Sequence, residues 1–249
     1  MRSLLLVALA TLALTACVPN QSPITTLTVV GADVAYHNNV RGYLSQPIQN
    51  GTYPGIILIH EWWGLNDHIR DTADSLAQEG YRVLAVDLYN GQVATTADEA
   101  RALRLAVNDT EAFANMQAAI TYLHSKGSER VASWGYCFGG GQSMNLALFD
   151  GDIDATIVYY GSVPIDRAAI ANVTAPVMLV FGTEDTSTTA ASAQKLHSLL
   201  LAKDVPATLA VYEGVGHAFA NPSNPGHDKE KTQDAWKRTL TFLDTHLRS

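Results

Sequence analysis

Cysteine is almost absent from this sequence, since only Cys17 and Cys137 occur among its 249 residues. If Cys17 is modified, as its sequence context indicates below, Cys137 has no partner for a disulfide bond. Composition alone favours a buried and inert cysteine at such a position. An exported protein, however, exposes a free thiol to oxidation, and keeping one indicates that the thiol has a task.

Basic residues are also scarce, and they form no cluster. The chain has 16 Lys and Arg against 24 Asp and Glu, which gives a formal net charge of −8 at pH 7. Nucleic-acid binding needs a basic patch that neutralises phosphates, so this class of partner is disfavoured.

No apolar run reaches the roughly 20 residues that a membrane-spanning helix needs. The run Ser3–Ala16 follows Arg2 and is typical of an export signal. It ends in Leu-Thr-Ala before Cys17, which resembles the lipobox of bacterial lipoproteins. The resemblance implies that Cys17 is lipidated and becomes the first mature residue; the alternative is an ordinary signal peptide in which Cys17 is incidental. Val18, in place of an aspartate, favours an anchor in the outer membrane facing the periplasm.

We therefore divide the chain into a signal peptide (1–16), a tether (17–28) and one globular domain (29–249). Six short apolar runs with little polar alternation are typical of strands that are buried on both faces of a mostly parallel sheet. They are Gly55–His60, Tyr81–Asp87, Arg130–Gly135, Ala155–Tyr160, Pro176–Phe181 and Ala207–Tyr212. Asp33–His37 and Arg41–Gln46 predict an antiparallel hairpin at the sheet edge.

Helical patterns separate these runs. Apolar residues recur at helical spacing from Ile69 to Ala77, behind a cap at Asn66 or Asp67 and before Gly80. Strands that alternate with helices predict an α/β fold with helices on both faces of the sheet and ligands at the carboxyl ends of the strands. The other predicted helices are Thr96–Val107, Phe113–Leu123, Thr189–Ala202 and Lys229–Leu247.

The segment Gly135-Tyr136-Cys137-Phe138-Gly139 has the features of a nucleophile elbow. It follows a predicted strand and precedes a helical segment, and the glycines two positions either side of Cys137 permit the tight turn that an elbow requires. The helix that follows offers N–H groups and a positive dipole end to a thiolate. We therefore predict that Cys137 is a nucleophile.

A thiol nucleophile needs a base, and the base needs an acidic partner that orients it. Asp185 and His217 each follow a predicted strand, in the order nucleophile, acid, histidine that α/β-hydrolases use. Glu184 is the alternative acid and His227 the alternative base. The predicted catalytic triad is Cys137, His217 and Asp185.

The cysteine elbow resembles the dienelactone hydrolase family when it is taken with two further segments. These are H-E-W-W-G-L-N at residues 60–66 and V-D-L-Y at residues 86–89. The similarity extends from about Val34 to Leu247. It implies an α/β-hydrolase fold and the hydrolysis of an ester or lactone through a thioester intermediate.

The resemblance also implies roles for residues around the nucleophile. Glu61 would exchange a proton with Cys137 when substrate binds, whereas the alternative for Glu61 is a solvated loop position. The backbone N–H groups of Trp62 and Phe138 would form the oxyanion hole. The aromatic residues expected around the pocket, each of which has a core position as its alternative, are Trp63, Tyr89 and Phe219.

The chain departs from the family in its cationic residues. Members of the family hold a substrate carboxylate with two arginines, and the matching positions here are Asn90-Gly91 and Asn221. Arg101 and Arg104 are the remaining candidates for a charge-assisted contact to a carboxylate. A neutral ester or lactone is therefore as plausible a substrate as an anionic one.

Two rival functions stay open: a catalytically silent envelope lipoprotein that binds a ligand in the pocket, and thiol redox chemistry without a resolving cysteine. No cofactor or metal is expected, because His60, Glu61 and His68 do not have the H-E-x-x-H spacing of a zinc site. The expected partners are a small-molecule ester or lactone and, through Cys17, a membrane. A monomer is expected.

We predict that the mature chain begins at an acylated Cys17. Mass spectrometry of the amino-terminal peptide from membrane fractions checks this, with Cys17→Ser as the control that cannot carry a thioether-linked lipid. An unmodified chain that begins at another residue would show that Cys17 is incidental to export.

Overall fold

The computed structural model describes residues 26–149 and 152–248. The predicted signal peptide (1–16), Cys17 and most of the tether lie outside the described residues, so these predictions stay untested. No helix within the described ranges combines the length and the apolar character needed to cross a bilayer.

Strands alternate with helices through most of the domain. In chain order, the elements are β1 (Val29–His37), β2 (Val40–Pro47), β3 (Gly55–Ile59), α1 (Asp67–Gln78), β4 (Arg82–Val86), α2 (Ala97–Ala106), α3 (Asp109–Ser125), β5 (Val131–Tyr136), α4 (Phe138–Leu148), β6 (Ala155–Tyr159), β7 (Val177–Gly182), α5 (Ala190–Leu201), β8 (Ala207–Tyr212) and α6 (Lys229–Leu247).

These strands form one sheet in the order β1-β2-β4-β3-β5-β6-β7-β8. The strands from β3 to β8 are parallel, and β1 and β2 make an antiparallel edge. The predicted α/β class and the predicted hairpin are both confirmed. β1 begins at Val29, four residues before its predicted start. The prediction began too late because the exposed first half of the strand carries no apolar alternation.

The central strands bury both of their faces. In β3, Ile56 and Leu58 pack in the cluster that α1 and α6 cover, while Ile57 and Ile59 pack in the cluster that α3 covers. All four side chains are fully buried. Burial on both faces requires an apolar residue at every position, and this is why the sequence shows continuous runs here.

Helix α1 begins and ends where the sequence predicts. The Asn66 side chain accepts a hydrogen bond from the Ile69 N–H and caps the first turn. Gly80, with φ of 87°, donates its N–H to the carbonyl oxygen of Ala77 and ends the helix. The helix thereby fixes the loop at residues 60–66, which leaves the carboxyl end of β3.

The carboxyl ends of the parallel strands meet at one edge of the sheet. In a doubly wound sheet this is the edge where ligands bind. The polar and nucleophilic residues that follow β3, β4, β5, β6, β7 and β8 there are Glu61, Asp87, Cys137, Tyr160, Asp185 and His217.

Candidate active site

Cys137 occupies a strained turn between β5 and α4. Its φ and ψ are 53° and −114°, in a region that residues other than glycine rarely adopt. A Cβ on Gly135 would lie 1.9 Å from the carbonyl oxygen of Gly139, and a Cβ on Gly139 would lie 2.3 Å from the carbonyl oxygen of Ile59. Only glycines at these positions therefore let α4 approach the ends of β5 and β3 so closely.

Backbone hydrogen bonds hold the turn in place. The Cys137 N–H donates to the carbonyl oxygen of Tyr159 at 3.0 Å, and the Gly141 N–H donates to the carbonyl oxygen of Cys137 at 3.1 Å. Cys137 thereby stands at the amino-terminal end of α4. The helix dipole at this end favours a thiolate.

The structure brings the three residues of the predicted triad together. His217 Nε2 lies 3.0 Å from Cys137 Sγ, and His217 Nδ1 lies 2.7 Å from Asp185 Oδ2. This is the chain of contacts that a thiol, its base and an orienting acid require. Among the described residues, neither Glu184, which is exposed, nor His227 makes a hydrogen bond to any of the three.

Asp185 accepts more hydrogen bonds than the sequence analysis anticipated. The N–H and the hydroxyl of Ser187 donate to Oδ1 at 2.9 and 2.7 Å, the Thr188 N–H donates to Oδ1 at 3.0 Å, and the Thr188 hydroxyl donates to Oδ2 at 2.7 Å. Burial raises the pKa of Asp185, but the bonds from His217, Thr188 and Ser187 outweigh it and hold that pKa well below its usual range. The sequence signal for these donors was the Asp-Thr-Ser-Thr run at residues 185–188.

His217 favours its protonated form in this setting. Burial alone lowers its pKa, but the hydrogen bonds to Asp185 and Cys137, together with their charges, raise it to about 10. The contacts to Asp185 and Cys137 therefore outweigh the burial of the imidazole.

Glu61 is buried beside the triad and has one hydrogen-bond donor. It is 3% exposed, which excludes a solvated loop position. Asn221 Nδ2 donates to its Oε2, and Oε1 has no partner among the described protein groups. Burial raises the pKa of Glu61 to about 7, against the lowering effects of Asn221, His217 and Tyr160. Glu61 can therefore gain or lose a proton near neutral pH.

His60 fixes the loop that carries Glu61. Its Nδ1 donates to the carbonyl oxygen of Glu61 at 2.5 Å, and its Nε2 accepts from the Leu88 N–H at 3.2 Å. Only the neutral tautomer with a proton on Nδ1 makes both bonds, and burial correspondingly lowers the pKa of His60. Within residues 26–149 and 152–248, no group of three or more His, Cys, Asp or Glu side chains is arranged to hold a metal ion.

Trp63 and Tyr89, two of the three predicted pocket aromatics, lie in the loops that follow β3 and β4. Trp62 and Trp63 are half-buried and pack edge to face, with ring centroids 5.1 Å apart. Tyr89 is almost fully buried and stacks on the ring of Phe138 at 5.8 Å.

The structure differs from the prediction for Phe219. Its ring is fully buried and packs against Tyr160, so it supports the site from the core and does not line the pocket. The sequence analysis missed Tyr160, which has φ of 39°, is fully buried and presents its ring to His217 with centroids 5.2 Å apart. Such strain in a bulky residue is typical of functional sites.

The positions where the family has arginines are occupied differently here. Asn90 and Gly91 form an exposed turn, with φ of 54° and 85°. Asn221 is buried against Glu61. Arg104 is exposed on α2. Its charge lowers the pKa of Tyr89, but burial of Tyr89 has the larger effect and raises that pKa.

Comparisons with known proteins identify relatives of the whole domain. The sequence profile of the dienelactone hydrolase family matches residues 40–247. "Protein usf" of Aquifex pyrophilus is 31% identical over 237 residues, which cover 88% of this chain and 100% of that protein. A protein of Saccharolobus solfataricus named "Putative carboxymethylenebutenolidase" is 30% identical over 244 residues, which cover 82% of this chain and 93% of that protein.

A solved structure shares the fold at lower identity. The "Putative Dienelactone Hydrolase" of Klebsiella pneumoniae superposes with a TM-score of 0.79 at 23% identity, over 87% of this chain and 98% of that one. This similarity supports the α/β-hydrolase fold.

We predict that Gly139→Ala destabilises the protein by at least about 3 kcal/mol, because the new methyl group would collide with backbone at Ile59. The matched control is Gly141→Ala in the same helix, where the nearest atom to a new Cβ is 3.7 Å away. This substitution is expected to be neutral or to stabilise by up to about 1 kcal/mol. Urea unfolding measures both, and equal effects would contradict the close packing described above.

We predict that Glu61→Gln stabilises the protein increasingly as pH rises. The folded-state pKa of Glu61 is about 7, against an ordinary value of 4.5. Because folding raises the pKa of this carboxyl group, its contribution to stability is most favourable at pH values below the unfolded-state pKa. As pH rises through the folded-state pKa, ionisation of the buried group lowers the free energy of unfolding by about 3 kcal/mol in all. Glutamine escapes this cost and can still accept the Asn221 hydrogen bond.

Urea unfolding between about pH 5 and pH 8 measures this gain, and the exposed Glu184→Gln serves as the charge-matched control. A gain for Glu61→Gln that does not vary with pH would refute the assignment.

Proposed function

Because this chain belongs to the dienelactone hydrolase family, a family of α/β-hydrolases, we propose that it hydrolyses a carboxylic ester or lactone with Cys137 as the nucleophile. The observation that carries this proposal is the pair of short contacts through His217, 3.0 Å to Cys137 Sγ and 2.7 Å to Asp185 Oδ2. They connect a thiol in a strained elbow to a base and to a carboxylate that stays ionised.

In the first half-reaction, the Cys137 thiolate attacks the carbonyl carbon of the substrate. The bond to the leaving oxygen then breaks, His217 gives its proton to that oxygen, and a thioester on Cys137 remains. In the second half-reaction, His217 takes a proton from water, and the resulting hydroxide attacks the thioester. The carbon–sulfur bond breaks, so the acid is released and the thiolate–imidazolium pair returns. Asp185 orients His217 throughout.

The oxyanion of each tetrahedral intermediate would be stabilised by the backbone N–H groups of Trp62 and Phe138. Neither group donates to another backbone group in the described turns and loops. Phe138 is the first residue of α4, so its N–H has no partner within the helix and the helix dipole adds to its effect. Donors of this kind typically contribute a hundredfold or more to the rate, about 3 kcal/mol.

A neutral substrate fits this site better than an anionic one. Glu61 and Asp185 are both acidic, and the neutral amide of Asn221 stands where a cation would hold a carboxylate. Arg104 is the basic side chain whose charge reaches Tyr89, and it is exposed. The relatives named carboxymethylenebutenolidases support a lactone or ester bond as the target.

Glu61 is proposed to take the proton of the Cys137 thiol when substrate binds, before the first half-reaction, and to return it after the acid is released. Its pKa of about 7 suits such an exchange at neutral pH. In the structure its hydrogen-bond partner is Asn221, so the exchange requires Glu61 to leave that amide.

The enzyme is further proposed to act at the cell envelope, anchored through lipid on Cys17. The support is the apolar run Ser3–Ala16 and the lipobox-like residues before Cys17. A monomeric domain on a short tether would then meet substrates in the periplasm.

We predict that short-chain p-nitrophenyl esters and neutral lactones are hydrolysed, and that Cys137→Ala lowers kcat/KM at least about a thousandfold. Asn172→Ala, which removes an exposed amide, is the control and should match the wild type. Lactones with and without a carboxylate test the substrate class, and the neutral compounds should show the higher kcat/KM. Failure to hydrolyse any ester or lactone, or full activity in Cys137→Ala, would overturn the proposal and favour a binding lipoprotein.

A further inference from the structure

Asn221 lies in the same turn of chain as His217. Ala218, next to His217, has φ of 58°, and its carbonyl oxygen accepts the Asn221 N–H at 3.0 Å. Asn224 Nδ2 donates to the carbonyl oxygen of His217 at 3.3 Å and closes the turn. One compact loop therefore places an imidazole against Cys137 and an amide against Glu61.

The orientation of the Asn221 amide is determined by its neighbours. Its Oδ1 accepts the Ser223 N–H at 2.8 Å, which leaves the NH₂ group to face Glu61. The side chain is 5% exposed. Asn221 therefore acts on Glu61 as a fixed, buried donor that carries no charge.

The other groups that face Glu61 do not hold it in one protonation state at neutral pH, since its pKa is about 7 in their presence. The charge of His217 and the hydroxyl of Tyr160 lower its pKa. Tyr160 and Tyr136 are neutral phenols, because burial raises the pKa of each well above its ordinary value. Among the described residues, no Lys or Arg side chain donates to Glu61.

An uncharged donor has a consequence that a cation would not have. A guanidinium or ammonium group would keep Glu61 ionised, whereas an amide can hydrogen-bond to a carboxylate and to a carboxylic acid. Asn221 can therefore hold Glu61 by a hydrogen bond in either protonation state of the carboxyl group.

We propose that Asn221 is the positioning residue of Glu61. Until Glu61 turns to exchange a proton with Cys137, the amide holds its carboxyl group off the Cys137–His217 pair, whether that group is ionised or protonated. This inference rests on the proposed use of Cys137 as the nucleophile. Without the amide, Glu61 loses the side-chain donor that lies within hydrogen-bond distance and binds its proton more tightly. It is then free to turn toward the thiol and compete with His217 for it.

The test is an infrared titration of the full mature protein with isotope-labelled glutamate. The carboxylic-acid band of Glu61 is identified by its disappearance in Glu61→Gln, and its midpoint is followed with pH. Loss of a hydrogen bond to a charged group is expected to raise that midpoint by roughly one pH unit in Asn221→Ala. Asn221→Asp, which keeps the shape and the Ser223 contact, should raise it further because two carboxyl groups then share the site. Asn172→Ala should leave it unchanged.

A midpoint in Asn221→Ala within about 0.3 unit of the wild type would overturn the proposal, as would the same shift in Asn172→Ala. If Asn221→Ala does not fold, an unshifted midpoint in Asn221→Asp overturns it equally. The pH profile of kcat supplies a second readout, and its inflection is expected to move with the infrared midpoint. The infrared result stands even if no ester is hydrolysed, so the failure of the positioning role and the failure of the hydrolase proposal are distinguishable.

Discussion

The close contact between the start of α4 and the ends of β3 and β5 is the constraint on which the rest of the site depends. Gly139 packs against the carbonyl oxygens of Ile59 and His60, and a side chain there would separate these elements. The contact holds Cys137 in its strained conformation and brings the helix end beside the loop of Glu61 and Trp62. Cys137, the proposed oxyanion donors and Glu61 are thus fixed by one close backbone contact, which rigid elements maintain better than loops do.

Two carboxyl groups near the thiol are tuned in opposite directions by the number of donors that each receives. Asp185 accepts bonds from His217, Ser187 and Thr188 and stays ionised. Glu61 is more deeply surrounded by protein and receives one amide at hydrogen-bond distance, so burial dominates and its pKa rises to about 7. Environments that move the pKa values of two carboxyl groups apart in this way suit the two groups to different chemical roles. The first suits permanent orientation of a base, and the second suits transfer of a proton.

Much of the fold was predictable from the sequence, because strands buried on both faces leave continuous apolar runs and the elbow leaves spaced glycines. The grouping of Cys137, His217 and Asp185 at one edge of the sheet followed from chain order and strand ends. Asn221 and Tyr160 were not recognised, since the contact between Glu61 and Asn221 joins residues 160 positions apart and leaves no local pattern. Phe219 was expected to line the pocket, but the sequence near His217 does not distinguish an aromatic residue that faces a pocket from one that faces the core.

The central claim is that Cys137 becomes acylated during turnover. The most direct measurement mixes the enzyme with a p-nitrophenyl ester, quenches it in acid within the first turnovers and locates the acyl group by peptide mass spectrometry. The account predicts a hydroxylamine-labile acyl group on Cys137. Turnover that leaves Cys137 unmodified, or an acyl group that accumulates on another residue, would contradict it.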